Sequence, residues 1–408
     1  MSIGVAIAGL VFLIIIHEAG HFFVARGVGM RPRKFYIFFP PAIFKRVRSG
    51  IEYGIGAIPL GGYVKIPGMH RPAGGDLRAH LQPAVEEAPW LEGHVVRAAE
   101  PLDAMRYDDA RVALADLRAA VERADLSEGA ANAADRGLTD IEDGLSGDAY
   151  WRATTWKRVA VIFAGPGVNL IFAIGLLAAV FALGVPMANT VESVNAGSPA
   201  AAAGLQSGDT IVAIDGKEVT PVLTDRVPAR VSSSEGEPIQ LTVERDGRRV
   251  ELKTVRTEQI DGAWRLGFVL RGTEESFGPV QSVKYAFQET WAITEATGSA
   301  IARLVTGDSR DEISSPVGIV QGSSDALEID YRIYLRILAL ISLSLALLNL
   351  LPLLPLDGGH IAFSLLERAR GRAIPRVAYE RASAVGIALV LMLFFLGVTN
   401  DVNRLNGG

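Results

Sequence analysis

Four apolar stretches constrain this chain more than anything else in it. They run from about Ile3 to Val24, Val159 to Val185, Ile333 to Leu356 and Ala384 to Val398. The last reaches spanning length only if it extends back towards Val377. A helix needs roughly 20 mostly apolar residues to cross the hydrocarbon core, where it satisfies its own backbone. The sequence therefore predicts an α-helical polytopic membrane protein with four transmembrane helices. A cleaved signal peptide is the alternative for the first stretch. Against it, no basic region precedes the run, which continues into charged residues. Hydrophobic residues make up 49% of the chain and charged residues 21%, so apolar blocks must alternate with ordinary soluble ones.

Basic residues orient the spans. Arg26, Arg31, Arg33, Lys34, Lys45, Arg46 and Arg48 follow the first, and Arg152, Lys157 and Arg158 precede the second. Arg368, Arg370, Arg372, Arg376 and Arg381 follow the third. The positive-inside rule puts all of these in the cytoplasm. Both chain ends and the segment between the second and third spans then lie outside. A net charge of −5 gives no support to nucleic-acid binding. With no cysteine, any metal must be held by His, Asp or Glu.

The soluble blocks differ in character. "IEYGIGAIPLGGYVKIPG" (Ile51–Gly68) mixes aromatic and β-branched residues with glycine, as hairpins do. Composition alone allows an ordinary membrane-proximal loop as readily. From Arg71 to Tyr150 there are eight arginines, no lysine and seventeen acidic residues, a net −9. That charge opposes lying on an anionic leaflet. Leu114, Leu117 and Val121, then Leu138, Ile141 and Leu145, repeat at helical spacing on either side of Gly129. This predicts a small helical hairpin entered through "RPAGGD". His70, His80 and His94 match no metal motif. Between the second and third spans, Ile211, Val212 and Ile214 read as a buried strand. "QLTVERDGRRVELKTV" reads as a hairpin about Asp246-Gly247. Phe277 to Leu304 reads as an amphipathic helix.

The first span carries "IIIHEAGHFF". On a helix, His17 and His21 share a face and can bind one zinc, while Glu18 can polarise a water there. Ionisable groups in a span are functional candidates by default. Snorkelling towards the interface is the bland alternative, but it does not explain the spacing. Catalytic zinc usually takes three protein ligands, so a third should come from another span. Asp357, in "NLLPLLPLDGGH", is the only acidic residue between Ile337 and Phe363. Capping the next helix is its alternative role. His360 could be a fourth ligand. A supporting or capping role beside the metal is favoured, because a closed site could not be catalytic.

Together these pieces resemble the site-2 protease family of intramembrane metalloproteases, in the bacterial branch with a PDZ domain. The matching motifs occur in family order: "HEAGH", "EYGIGAIPLGGYVKIPG", "AGPGVN", one PDZ-like unit, "SPVGI" and "NLLPLLPLDGGH". The resemblance covers most of the chain except roughly 71–147. It implies His17, His21 and Asp357 as zinc ligands and Glu18 as general base. It implies that Asn349 helps hold the substrate backbone and that Asn169 is the family's second-span asparagine. The strands bearing Gly61, Gly62 and Tyr63 would be a membrane-associated β-element that engages extended substrate. Leu354, Ser315 and "FYIFFPP" depart from the family pattern, and none touches the implied ligands. "RLGFVL" (Arg265–Leu270) resembles a carboxylate-binding loop, although its position favours a linker strand.

The expected organisation is a first span (1–25), a cytoplasmic β-loop (26–69), an acidic helical insert (70–150) and a second span (157–185). A PDZ-like domain (186–272), an extracytoplasmic linker region (273–332), a third span (333–363) and a fourth (377–399) follow. The implied function is an intramembrane zinc endopeptidase of the inner membrane, with its active site towards the cytoplasm. The implied substrate is a single-span membrane protein such as an anti-sigma factor, first trimmed outside by a site-1-type protease. A non-catalytic PDZ membrane scaffold with structural zinc is the alternative. A metal transporter is disfavoured, since only one site and no repeated broken spans occur.

Overall fold

The computed structural model describes residues 2–260, 263–306 and 316–407. Among the described residues, four helices are long and apolar enough to cross a membrane: Ser2–Gly27, Thr155–Leu183, Tyr331–Asn349 and Val377–Asn400. The stretch 333–363 is not one helix. It stops at Asn349, turns through residues 350–356 and restarts at Asp357. Pro352 and Pro355 each lack an amide hydrogen and cannot continue the ladder. The chain forms two compact units, residues 10–169 with 346–392, and residues 1–9 with 170–345 and 393–408.

In the first unit, α1 (Ser2–Gly27) leads into two long bent strands, β1 (Lys34–Arg48) and β2 (Ile51–Lys65). Ser49 and Gly50, at φ 52° and 76°, close a tight turn in which Arg48 pairs with Ile51. Because both strands bend, Lys34–Ile37 pairs twice. Lys34 faces both Glu52 and Lys65, and Ile37 faces both Ile55 and Gly62. The row Gly62–Lys65 is therefore an edge of the sheet among the described residues.

The acidic insert is four helices, not a hairpin: α2 (Gly74–Glu87), α3 (Glu92–Asp103), α4 (Tyr107–Arg123) and α5 (Glu128–Leu145). Leu77, Leu81, Leu91, Leu114, Leu117 and Leu138 fill a common core with Ala84, Ala98, Ala99, Ala120 and Ala134. The first two helices escape a sequence reading, in α3 partly because Ala98 and Ala99 carry much of the buried face. Pro83 and Pro101 also sit inside them like breakers. Ser127 caps α5 by accepting from the Ala130 amide at 3.3 Å. Arg118 ties α4 to Glu142 and Asp135 of α5 at 2.8 and 2.9 Å.

α6 (Thr155–Leu183) follows, and then the soluble part of the second unit. Its main sheet orders the strands Phe268–Glu275, Val185–Val194, Thr210–Ile214, Leu241–Arg245 and Arg248–Glu251. Two short helices, α7 (Pro199–Ala203) and α8 (Val227–Ser232), accompany it. Ile211, Leu241, Val243, Val227 and Leu266 form its core. Asp246 and Gly247 turn with positive φ between paired strands. Phe268–Leu270 belongs to a strand of this sheet, paired with Val194–Val191. α9 (Pro279–Thr306), α10 (Pro316–Ile329) and α11 (Tyr331–Asn349) come next; Ser315 of "SPVGI" lies outside the described residues. α12 (Asp357–Arg370) and α13 (Arg376–Gly407) end the chain's helices, and the fourth apolar stretch does reach back past Val377.

One buried carboxylate joins three parts of the second unit. Glu289 of α9 is fully buried. It accepts from Arg336 of α11 at 2.6 Å and from the Leu223 amide at 3.0 Å. Removing one partner of such a pair leaves an uncompensated charge and costs about 3–5 kcal/mol. Glu289→Ala should therefore lower the unfolding midpoint in detergent far more than Arg118→Ala, whose exposed network is worth about 1 kcal/mol or less. Equal shifts in a thermal melt would disprove this.

Candidate metal centre

The fold brings His17, His21 and Asp357 together within the first unit. His17 and His21 are one helical turn apart on α1 and both are buried. Their Nε2 atoms lie 3.3 Å apart. Asp357 Oδ2 lies 3.3 Å from His17 Nε2 and 3.4 Å from His21 Nε2. That oxygen is buried and has no hydrogen-bond donor. Ligands about 2.0–2.1 Å from a tetrahedral zinc stand roughly 3.3 Å from one another. The three donor atoms thus form a triangle the size of one tetrahedral face. An orphaned carboxylate oxygen and two imidazole nitrogens are the donors that zinc takes. Three protein ligands is also the count of catalytic rather than structural sites.

The surroundings orient these donors. His21 Nδ1 donates to the Val161 carbonyl of α6 at 2.8 Å. A carbonyl can only accept, so the hydrogen sits on Nδ1 and the Nε2 lone pair faces the cluster. The fully buried Asn169 amide lies 3.5 Å from His17 Nδ1, on the ring edge away from Asp357. Two glycines let α1 and α6 cross closely enough for this. A Cβ on Gly20 would run into the Ala164 carbonyl. One on Gly165 would run into His21 Nε2 and stand 2.9 Å from His17 Cε1. Val161, Gly20 and Gly165 were not legible as site residues, although Gly165 lies in the "AGPGVN" motif.

Asp357 does not cap its helix. Leu356 occupies the N-cap position, and Asp357 is the first residue of α12. The preceding turn is packed tightly enough that a Cβ on Gly358 would strike the Leu350 and Leu351 carbonyls. One on Gly359 would lie 2.5 Å from the Leu354 nitrogen. His360 follows on the same helix, but the convergent donors among the described residues are His17, His21 and Asp357 alone.

Glu18 sits beside the edge row of β2. A Cβ on Gly62 would collide with its Cγ and stand 2.9 Å from its carboxyl carbon. Gly61 faces the Phe39 ring instead, and Tyr63 lies with its ring 6.3 Å from that of Tyr36. Gly62 is thus brought against Glu18, and Gly61 is not. Asn349 closes α11, at the start of the turn that leads to Asp357.

The sequence matches peptidase family M50 over residues 5–393. It is 30% identical to a Brucella suis protein named "Putative zinc metalloprotease", over 96% of this chain and 93% of that protein. It is 28% identical to the regulator of sigma-E protease RseP of Salmonella typhimurium, over 98% of each chain. Its identity to the Escherichia coli protein of the same name is 27%, again over 98% of each. The chain is a membrane protein and a zinc metalloprotease, and it belongs to peptidase family M50.

Proposed function

We propose that this metalloprotease cuts single-span membrane proteins within the bilayer, with zinc held by His17, His21 and Asp357. The observation that carries this reading is the convergence of three donor atoms, 3.3–3.4 Å apart, two of them on a helix apolar enough to cross a membrane. When bound, zinc supplies Lewis acidity that polarises the scissile carbonyl and makes water easier to deprotonate. Glu18 takes the proton of the attacking water as the C–O bond forms and gives it to the leaving amine as the C–N bond breaks. The Val161 carbonyl and the Asn169 amide hold the two imidazoles in place. His360 supports the site from α12 without joining the ligands.

A transmembrane helix hides its scissile amides in its own hydrogen bonds, so substrate must be unwound. The edge row at Gly62–Lys65 offers backbone groups for strand addition next to Glu18. In this reading Gly61, Gly62 and Tyr63 line the extended substrate, and Asn349 holds its backbone. The sheet between residues 185 and 275 is a PDZ-like domain on the extracytoplasmic side that gates access. The basic loops face the cytoplasm, as does the active site, and the chain sits in the inner membrane. The names of the sigma-E protease relatives support an anti-sigma factor, already cut outside by a site-1-type protease, as substrate.

A reconstituted single-span peptide with a central helix-breaking Asn-Pro pair tests the mechanism. Glu18→Gln should retain zinc and lose cleavage by at least about 100-fold, within the range general-base catalysis contributes; full activity would sink the role of Glu18. Asp357→Ala should lower zinc content measured by atomic emission, and unchanged metal would remove Asp357 from the ligand set. Gly165→Ala should also lower zinc content, because its methyl group occupies the space of the His21 ring. A zinc-replete Gly165→Ala protein would show that α6 can retreat from the site.

A further inference from the structure

The acidic insert grips the β-element at the base of the row that reaches Glu18. Arg33 stands immediately before β1, and its backbone joins two rows of the sheet. Its amide donates to the Lys65 carbonyl at 2.8 Å, and its carbonyl accepts from the Glu52 amide at 2.9 Å. Its guanidinium is held by the insert. Nε donates to Asp143 at 2.7 Å, and the two terminal nitrogens donate to the two oxygens of Asp148 at 3.0 and 3.3 Å. Lys65 pairs with Asp140 of α5 and lies 4.0 Å from Asp143. The side chains of Arg33, Asp143, Asp148 and Lys65 are each a quarter exposed or less. A forked, partly buried pair of this kind fixes geometry better than an exposed ion pair does.

From Lys65 the edge row runs three residues to Gly62, about 10 Å at the usual strand rise. Gly62 abuts Glu18. A strand displaced by one residue turns every side chain to the other face, so the position of Lys65 sets what stands beside Glu18. The insert reaches the other half of the site as well. The Tyr150 hydroxyl lies 3.3 Å from the Ser364 hydroxyl, two turns along α12 from Asp357.

We propose that the helical insert is a register clamp, in which Asp140, Asp143 and Asp148 hold Arg33 and Lys65 so that the edge row presents substrate to Glu18 at one peptide bond. These three aspartates are positioning residues and touch no reacting atom. The inference rests on the reading of Glu18 and the edge row given above.

The test uses the full zinc-loaded chain in liposomes and the same Asn-Pro peptide, with cut positions mapped by mass spectrometry. Asp143→Asn with Asp148→Asn removes both charges without altering shape. Leu114, Leu117 and Leu138 still hold the bundle. The expected result is a kcat about 10- to 100-fold lower with KM within about twofold. Cleavage should spread over neighbouring bonds, with zinc content unchanged. Arg33→Lys, which keeps the charge but not the fork, should fall between this variant and wild type. Amide exchange at residues 62–65 should accelerate by about tenfold or more while the α4 and α5 cores keep their protection, a readout independent of cleavage. A single cut position with unaltered exchange at 62–65 would overturn the clamp. So would a loss of activity that tracks a loss of zinc or of bundle protection. Glu18→Gln is run in parallel: if it stays active, the reading of the site fails, while the exchange result still decides the clamp.

Discussion

Bringing two imidazoles of an apolar helix and the carboxylate of Asp357 to one point is the demand to which this unit is shaped. Each group alone would be expensive to bury, and the expense falls only when they share a cation. Their convergence requires α6 to pass the first helix at the distance of a glycine. It requires α12 to begin at Asp357 rather than continue the third apolar stretch. Gly20, Gly165, Gly358 and Gly359 are among the places where backbone, carbonyl or ring occupies the volume of a missing side chain. The glycines and prolines around the site thus follow from the donor triangle.

The proposed function adds a second demand, access for an extended substrate. A sheet edge next to a general base is a liability elsewhere, because an unpaired row recruits other chains. Under the proposed function recruitment is the task, so the edge must be open yet immobile. Lys34–Ile37 supports it from one side through regular pairing, and Arg33 and Lys65 anchor its end. Gly62 leaves room for the Glu18 carboxyl without a side chain between base and strand.

Much of this was legible in the sequence. Each of the four apolar stretches holds a helix of spanning length, the third only as far as Asn349, and the i, i+4 pair His17 and His21 converges on the acidic residue singled out at the end of the third. Spacing within one helix is a local property, and a lone Asp in an apolar run is conspicuous. The insert holds two more helices than its leucine spacing predicts. Leucine spacing exposed α4 and α5, whereas internal prolines, and in α3 a buried face rich in alanine, concealed α2 and α3. Orientation of the imidazoles was not legible at all, because Val161 contributes a carbonyl that every residue type possesses. The clamp was equally hidden, since Arg33 and Asp148 are far apart in sequence and each looks like ordinary surface charge.

The insert also enters and leaves its host at one place. The Tyr150 and Trp151 amides donate to the Pro67 and Gly68 carbonyls at 2.9 and 3.1 Å, so its two ends stand side by side. A module with adjacent ends and its own core can be gained or lost without displacing what flanks it. Chains of this architecture can therefore vary greatly in length between the β-element and α6 while keeping one catalytic geometry. Any chain that dispenses with the module must find another anchor for the cations at the foot of its edge strand.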